Sequence, residues 1–226
     1  MQEQHITVRR TARYYTLGPA NDGDVAEVWI VCHGFAQLAG RFMRHFAAID
    51  DGTRLIVAPE ALNRFYIEAV PGVHGPDSKV GATWMTREDR LHEIDDYVAY
   101  LDRLAESLFV RVDRARVRFT ILGFSQGVAT VARWIVQGQA RPDHLVLWAS
   151  PLPPEIDSGT GPQLLASLPR VSVVVGANDA GAQRALPRER ERMARLGIPY
   201  DLIGFEGGHH LDADTLRSLA RHPEPR

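Results

Sequence analysis

The chain has 226 residues, 45% hydrophobic and 24% charged, with a formal net charge of −2 at pH 7. This is ordinary composition for one globular domain, and a chain of this length removes roughly 70% of its unfolded surface from water. The weak net charge and scattered basic residues exclude a field suited to nucleic acid. The single Cys32 excludes an internal disulfide, and no apolar run is long enough to span a membrane. The opening residues 1–5 carry neither a basic nor an apolar leader segment, so a cytoplasmic location is the default expectation.

Along the chain, the stretch 5–15 is a candidate for antiparallel edge strands. Continuous apolar, β-branched runs follow at 28–32 and 55–58, the pattern of strands covered on both faces. The segment 62–84 lacks strong periodicity. Thr86, with Asp89 three residues on, is the expected N-cap of a long helix. Its stripe is Leu91, Ile94, Val98, Leu101, Ala105 and Leu108. A strand over 117–122 leads into a helix over 125–137, with Gly138 as its C-cap. A strand at 145–148, an irregular segment at 151–169 and a strand at 171–175 come next. A helix over 185–196 stops at Gly197, a strand covers 201–205, and a last helix follows Asp212. Strands alternating with helices predict one α/β domain over 1–226, with a mostly parallel sheet and helices on both faces. The two irregular segments are candidate walls of a substrate pocket.

Gly123-Phe124-Ser125-Gln126-Gly127 is a G-x-S-x-G sequence. The motif alone is weak, but it falls where the run 117–122 ends and a helical pattern begins. That setting resembles the nucleophile elbow of the α/β-hydrolase fold, in which a serine sits on a strained turn between close-packed neighbours. The elbow also puts Ser125 at a helix N-terminus, whose free N–H groups favour developing negative charge.

A serine hydroxyl needs a positioned imidazole, and on this elbow the chain order is Ser, then Asp or Glu, then His. Gly207-Gly208-His209-His210 follows the last strand run. His209, directly after the glycine pair, is favoured over His210 as the base. Histidines 5, 33, 45, 74, 92 and 144 precede the expected acid, and His222 lies in a polar tail. Asp179 follows the run 171–175 in the turn-forming sequence Gly176-Ala177-Asn178-Asp179 and is favoured as the orienting acid, with Asp157 as the competitor. An acyl-transfer site also needs two N–H donors for the tetrahedral oxygen. Gln126, next to the nucleophile, and Phe35, in the turn His33-Gly34-Phe35 after the run 28–32, are the candidates. His33 is expected to brace that turn rather than to act as a base.

These residues resemble the phospholipase/carboxylesterase group of α/β-hydrolases, which includes acyl-protein thioesterases and small bacterial esterases. The resemblance rests on His33-Gly34-Phe35, Gly123-Phe124-Ser125-Gln126-Gly127, the Gly176 to Asp179 turn and Gly207-Gly208-His209. Val80-Gly81-Ala82-Thr83-Trp84 is similar to a region where members often carry a tryptophan near the site. It implies hydrolysis of carboxylic esters or thioesters by Ser125, His209 and Asp179 without a cofactor. The chain departs from the group after Gly34, where Ala36-Gln37 replaces an aspartate-glycine pattern, and after Asp179, where Ala180-Gly181-Ala182 replaces an apolar-proline one.

Other constellations carry less. Glu88 and His92 share the spacing of one helix face but lack a zinc-binding H-E-x-x-H sequence. His209, His210, Asp212 and Asp214 look like metal ligands, but the triad accounts for the first and an N-cap for Asp212. Cys32 reads as a small core residue. Phe65, Trp84 and Met85, with Tyr66 beside them, are candidates for an apolar acyl pocket or equally for ordinary packing, and Lys79 and Arg87 for solvated surface. The expectation is therefore a serine esterase acting on a small-molecule acyl ester, with no metal and no stable membrane insertion. A homodimer is left open, as are thioesterase, acyltransferase and non-catalytic binding roles.

Overall fold

The computed structural model describes residues 1–67 and 75–221. Nine strands run β1 (Tyr14–Leu17), β2 (Glu27–Cys32), β3 (Arg54–Pro59), β4 (Asn63–Tyr66), β5 (Val80–Thr83), β6 (Arg118–Phe124), β7 (His144–Trp148), β8 (Val171–Gly176) and β9 (Asp201–Phe205) among these residues. The helices are α1 (Ala39–Phe42), α2 (Arg90–Phe109), α3 (Gln126–Gln137), α4 (Gly161–Ala166), α5 (Ala180–Arg195) and α6 (Ala213–Ala220). Seven strands form one sheet in the order β1-β3-β2-β6-β7-β8-β9. All neighbours are parallel except β1, which pairs antiparallel with β3.

The buried runs explain the layers. Every residue of β2 is buried, and the pleat sends alternate side chains to opposite faces. Val28, Ile30 and Cys32 join the core under α2 and α3, with Leu101, Val128 and Trp134. Trp29 and Val31 join the opposite core, with Phe42, Phe46 and α6 residues Leu216 and Leu219. Continuous apolarity was thus the signature of a strand sandwiched between two helical layers.

Several boundaries differ from the sequence reading. The edge strand is Tyr14–Leu17, at the end of the expected stretch 5–15. Helix α2 begins at Arg90, with Asp89 as N-cap in the left-handed region at φ 47°. Thr86 instead accepts the Glu88 N–H at 3.1 Å in a separate turn. Leu91 is therefore off the stripe and 68% exposed, and Tyr97 and Leu104 complete the buried face. Helix α5 starts at Ala180 rather than 185, because Asp179 caps it by accepting the Ala182 N–H at 3.0 Å. The segment 62–84 contains the two-stranded antiparallel pair β4–β5, with 68–74 outside the described residues. The segment 151–169 contains a 3-10 turn at Pro154–Asp157 and α4. Among the described residues no helix is long and apolar enough to cross a membrane.

Candidate active site

The C-terminal ends of the parallel strands carry the candidate residues. Ser125 lies between β6 and α3 at φ 53° and ψ −117°, an unfavourable backbone for a residue with a side chain. Its own N–H donates to the Trp148 carbonyl at 2.9 Å, which ties the turn to β7. The flanking glycines are forced by contact. A Cβ on Gly123 would lie 2.4 Å from the Gly127 oxygen, and one on Gly127 would lie 2.2 Å from the Cys32 oxygen. The strand, turn and neighbouring strand can approach this closely only without side chains there.

The acid turn and the histidine loop are stitched together before their side chains meet. Ala177 N–H donates to the Phe205 carbonyl and Asn178 N–H to the Gly207 carbonyl, both at 2.8 Å. The imidazole of His209 then bridges two groups remote in sequence. Its Nδ1 lies 2.6 Å from Asp179 Oδ2, and its Nε2 lies 2.9 Å from Ser125 Oγ. A carboxylate can only accept, so Nδ1 carries the proton and Nε2 is left to accept from the serine hydroxyl. The Asp179 side chain is 4% exposed and that of His209 49%. Burial alone would raise the Asp179 carboxyl, but the Ala182 N–H, the His209 imidazole and the Gly181 N–H hold it below the usual carboxylate range.

The two competitors are occupied elsewhere. His210 turns away toward Phe205, with ring centroids 5.5 Å apart, and its carbonyl accepts the Trp148 indole N–H at 3.1 Å. Asp157 is held by Arg192 Nε at 2.6 Å and Arg195 at 3.0 Å.

The turn after β2 lies against the nucleophile, since a Cβ on Gly34 would be 3.1 Å from the Ser125 Cβ. Among the described residues, the N–H groups of Phe35 and Gln126 donate to no other group. His33 is fully buried. Its Nε2 accepts the Ala61 N–H at 3.1 Å, while Nδ1 lies 2.8 Å from the Gly34 carbonyl. Burial lowers its pKa against the opposing effects of Gly34 and Glu60, which keeps the ring neutral.

The Gln126 side chain was overlooked in the sequence, where only its N–H was assigned. Its amide nitrogen donates to Thr83 Oγ1 at 2.9 Å and to the Met85 carbonyl at 3.0 Å, and its oxygen accepts the Trp84 N–H at 3.1 Å. It clips the end of the β4–β5 pair to the elbow. Of the two readings left open for Trp84, pocket or packing, the structure shows packing: it is only 1% exposed, between His33 and Tyr97. Its indole N–H donates to the His33 carbonyl at 2.8 Å, so it serves as a brace beneath the site. Met85 is half-buried against the core, with its sulfur 3.3 Å from Arg133 Nη1. Phe65 is half-buried and stacks on the Phe35 ring at 5.2 Å, and Phe35 is 56% exposed beside the elbow. Lys79 and Arg87 are exposed.

Cys32 is fully buried and its thiol is pushed well up by burial, as suits a packing residue. His5, Asp89 and His92 bring three ligand-type atoms within 4.8 Å of one another, all at exposed positions. The 2.6 Å contact from His92 Nδ1 to Asp89 Oδ1 is a charged hydrogen bond at the start of α2, and Glu88 lies outside that helix. His74 and His222 lie outside the described residues.

No protein-family model matches the chain, and no curated protein matches its sequence. Solved structures do resemble it over nearly its whole length. Acyl-protein thioesterase 2 of Zea mays aligns with a TM-score of 0.68 and 15% identity, covering 93% of this chain and 96% of that one. A carboxylesterase from Mesorhizobium loti aligns with a TM-score of 0.67 and 18% identity over 94% and 95%. The esterase PE8 aligns at 0.64 with 22% identity over 93% and 97%. At these identities the likeness speaks for the architecture, the α/β-hydrolase fold.

Proposed function

We propose, on the premise of that fold, that this protein is a serine esterase that hydrolyses small-molecule acyl esters through a covalent acyl-enzyme. The observation that carries the reading is the continuous hydrogen-bonded line from Ser125 Oγ through His209 to Asp179, with contacts of 2.9 and 2.6 Å. A fold hosts many functions, so this arrangement of side chains bears the argument.

In the first step Ser125 Oγ attacks the ester carbonyl while His209 Nε2 takes its proton. Asp179 holds the imidazole in the required tautomer and offsets the charge of the imidazolium. The carbonyl oxygen becomes an oxyanion facing the N–H groups of Phe35 and Gln126, which have no competing acceptor among the described residues. Collapse of this intermediate breaks the bond to the alcohol, which leaves with the proton from His209. Water then gives its proton to His209 and attacks the acyl-enzyme, and the second collapse returns the proton to Ser125 and releases the acid. In this reading the stacked rings of Phe35 and Phe65 would meet the apolar part of the substrate, whereas Met85 packs on the core and Arg133 and Trp84 braces the turn at His33. No step draws on a cofactor.

The acyl-protein thioesterase among the similar structures raises a thioester as an alternative substrate, and the same steps would serve it. The test begins with a fluorophosphonate probe and p-nitrophenyl esters of increasing acyl length, with matched thioesters alongside. Covalent labelling and turnover in the wild type, both lost in Ser125→Ala, are expected. Absence of labelling and turnover in the folded wild type would remove the proposal.

A further inference from the structure

Gly34 and Phe35 share one peptide unit, whose carbonyl belongs to Gly34 and whose N–H belongs to Phe35. In a trans peptide the carbonyl and the N–H point in opposite directions from a common plane. Fixing the Gly34 carbonyl therefore fixes the direction of the Phe35 N–H. The Gly34 carbonyl lies 2.8 Å from His33 Nδ1. Nε2 of the same ring receives a backbone N–H from Ala61 at 3.1 Å, and a backbone N–H can only donate. The neutral ring must therefore carry its proton on Nδ1 and give it to Gly34.

The plane needs such a restraint. Glycine at position 34 makes rotation about its backbone inexpensive, and the following Ala36 is already at φ 62°. The neighbouring peptides are anchored by other groups. The Gly34 N–H donates to Gln37 Oε1 at 2.8 Å, the His33 carbonyl accepts from Trp84 Nε1 at 2.8 Å, and the Ala36 N–H donates to the Ala82 carbonyl at 2.9 Å. Among the described residues, His33 is the only side chain that holds the Gly34 carbonyl, which also accepts the Gln37 N–H at 3.3 Å.

We infer that His33 is a positioning residue whose Nδ1–H, its tautomer set by Ala61, orients the Gly34–Phe35 peptide so that the Phe35 N–H faces the oxyanion. The inference rests on the proposed ester hydrolysis and assigns a role to a residue that contacts no reacting atom. A rotated peptide would present a carbonyl where the donor belongs, and the tetrahedral intermediate would lose one of its two donors.

The experiment compares His33→Leu with His33→Asn, whose side-chain amide can place a donor near the position of Nδ1. Loss of one oxyanion donor typically costs about a hundredfold or more in kcat. His33→Leu is expected to lose about that in kcat on p-nitrophenyl acetate with KM little changed. Its affinity for a boronic acid that forms a tetrahedral serine adduct should fall in parallel. Both variants lose the Ala61 bond and should lose similar stability in urea, yet His33→Asn should recover at least about tenfold of the kcat. Equal kcat in the two variants at equal stability, or a His33→Leu enzyme within threefold of wild type, would overturn the inference. Should either variant fail to fold, nitrogen NMR of the wild-type imidazole decides: a proton on Nδ1 throughout supports the assignment, and a proton on Nε2 defeats it. Wild-type turnover abolished by Ser125→Ala keeps the esterase reading intact whichever way His33 behaves.

Discussion

The two ends of the central strands treat their polar groups in opposite ways. At the N-terminal end, Glu27 of β2 and Arg54 of β3 form a buried ion pair at 2.8 Å, each side chain 6% exposed. Arg54 also donates to Asp51 at 2.9 Å and to the carbonyls of Ile49 and Ala220, and Thr120 Oγ1 reaches Glu27 at 3.3 Å. Nearby, His144 of β7 meets Ser172 of β8 at 2.9 Å. At the C-terminal end, two backbone N–H groups have no partner among the described residues, a serine holds a strained backbone, and the histidine is half exposed. The first end spends its hydrogen bonds on holding the sheet together. The second leaves two donors unpaired and a hydrogen-bonded imidazole half exposed to solvent, beside a strained serine.

This contrast can be broken from either side. The largest effect is expected at the C-terminal end: Ser125→Ala should lower kcat on p-nitrophenyl esters by about 10⁴-fold or more while leaving the urea midpoint nearly unchanged. Asp179→Asn should lower kcat by about 10⁴-fold, because the amide favours the wrong imidazole tautomer, yet it can still cap α5 and so should cost little stability. At the other end the effect should reverse. Arg54→Met leaves Glu27 buried without its partner and should cost about 3–5 kcal/mol in urea unfolding, with kcat of the remaining folded enzyme unchanged.

A smaller effect concerns acid. Burial lowers the pKa of His144 from 6.5 to about 3, with Arg170 and Arg118 adding to it and Asp201 opposing. The unfolded chain therefore takes up a proton on this histidine that the folded chain refuses. Stability from this group is complete above pH 6.5 and is lost as pH falls toward 3, by about 2 kcal/mol between pH 8 and pH 5. Urea titrations of His144→Asn at the two pH values should show that slope reduced. The smallest effect is expected at the rim, where Phe65→Ala should reduce kcat/KM for long acyl esters by about three- to tenfold and spare the acetate, since it removes apolar contact only.

Much of this fold is legible in the sequence. The strand runs at 28–32, 117–122 and 171–175 are continuous and apolar because both of their faces are covered, and that property is local to each strand. The elbow was legible for a related reason: Gly123 and Gly127 are dictated by backbone atoms within a few residues or on the adjacent strand. The expected order of Ser125, Asp179 and His209 came from the resemblance of that elbow to the α/β-hydrolase pattern.

What remained was decided by contacts between distant segments. The glycine pair only favours His209 over His210; which ring faces inward is fixed by Ala177 and Asn178 docking onto Phe205 and Gly207 and by the Trp148 indole donating to the His210 carbonyl. The irregular neighbours of Trp84 leave pocket and packing equally open in the sequence, because its burial depends on His33 and Tyr97 from other elements. Thr86 looked like a helix cap by spacing alone, but Glu93 Oε2 takes its N–H and the helix begins after Asp89. Sequence determined which segments bury and where the chain must turn, since those follow from each segment's own hydrophobicity and sterics. Tertiary structure decided which polar group meets which, because a hydrogen bond needs its partner within about 3 Å and only the assembled sheet brings remote loops that close.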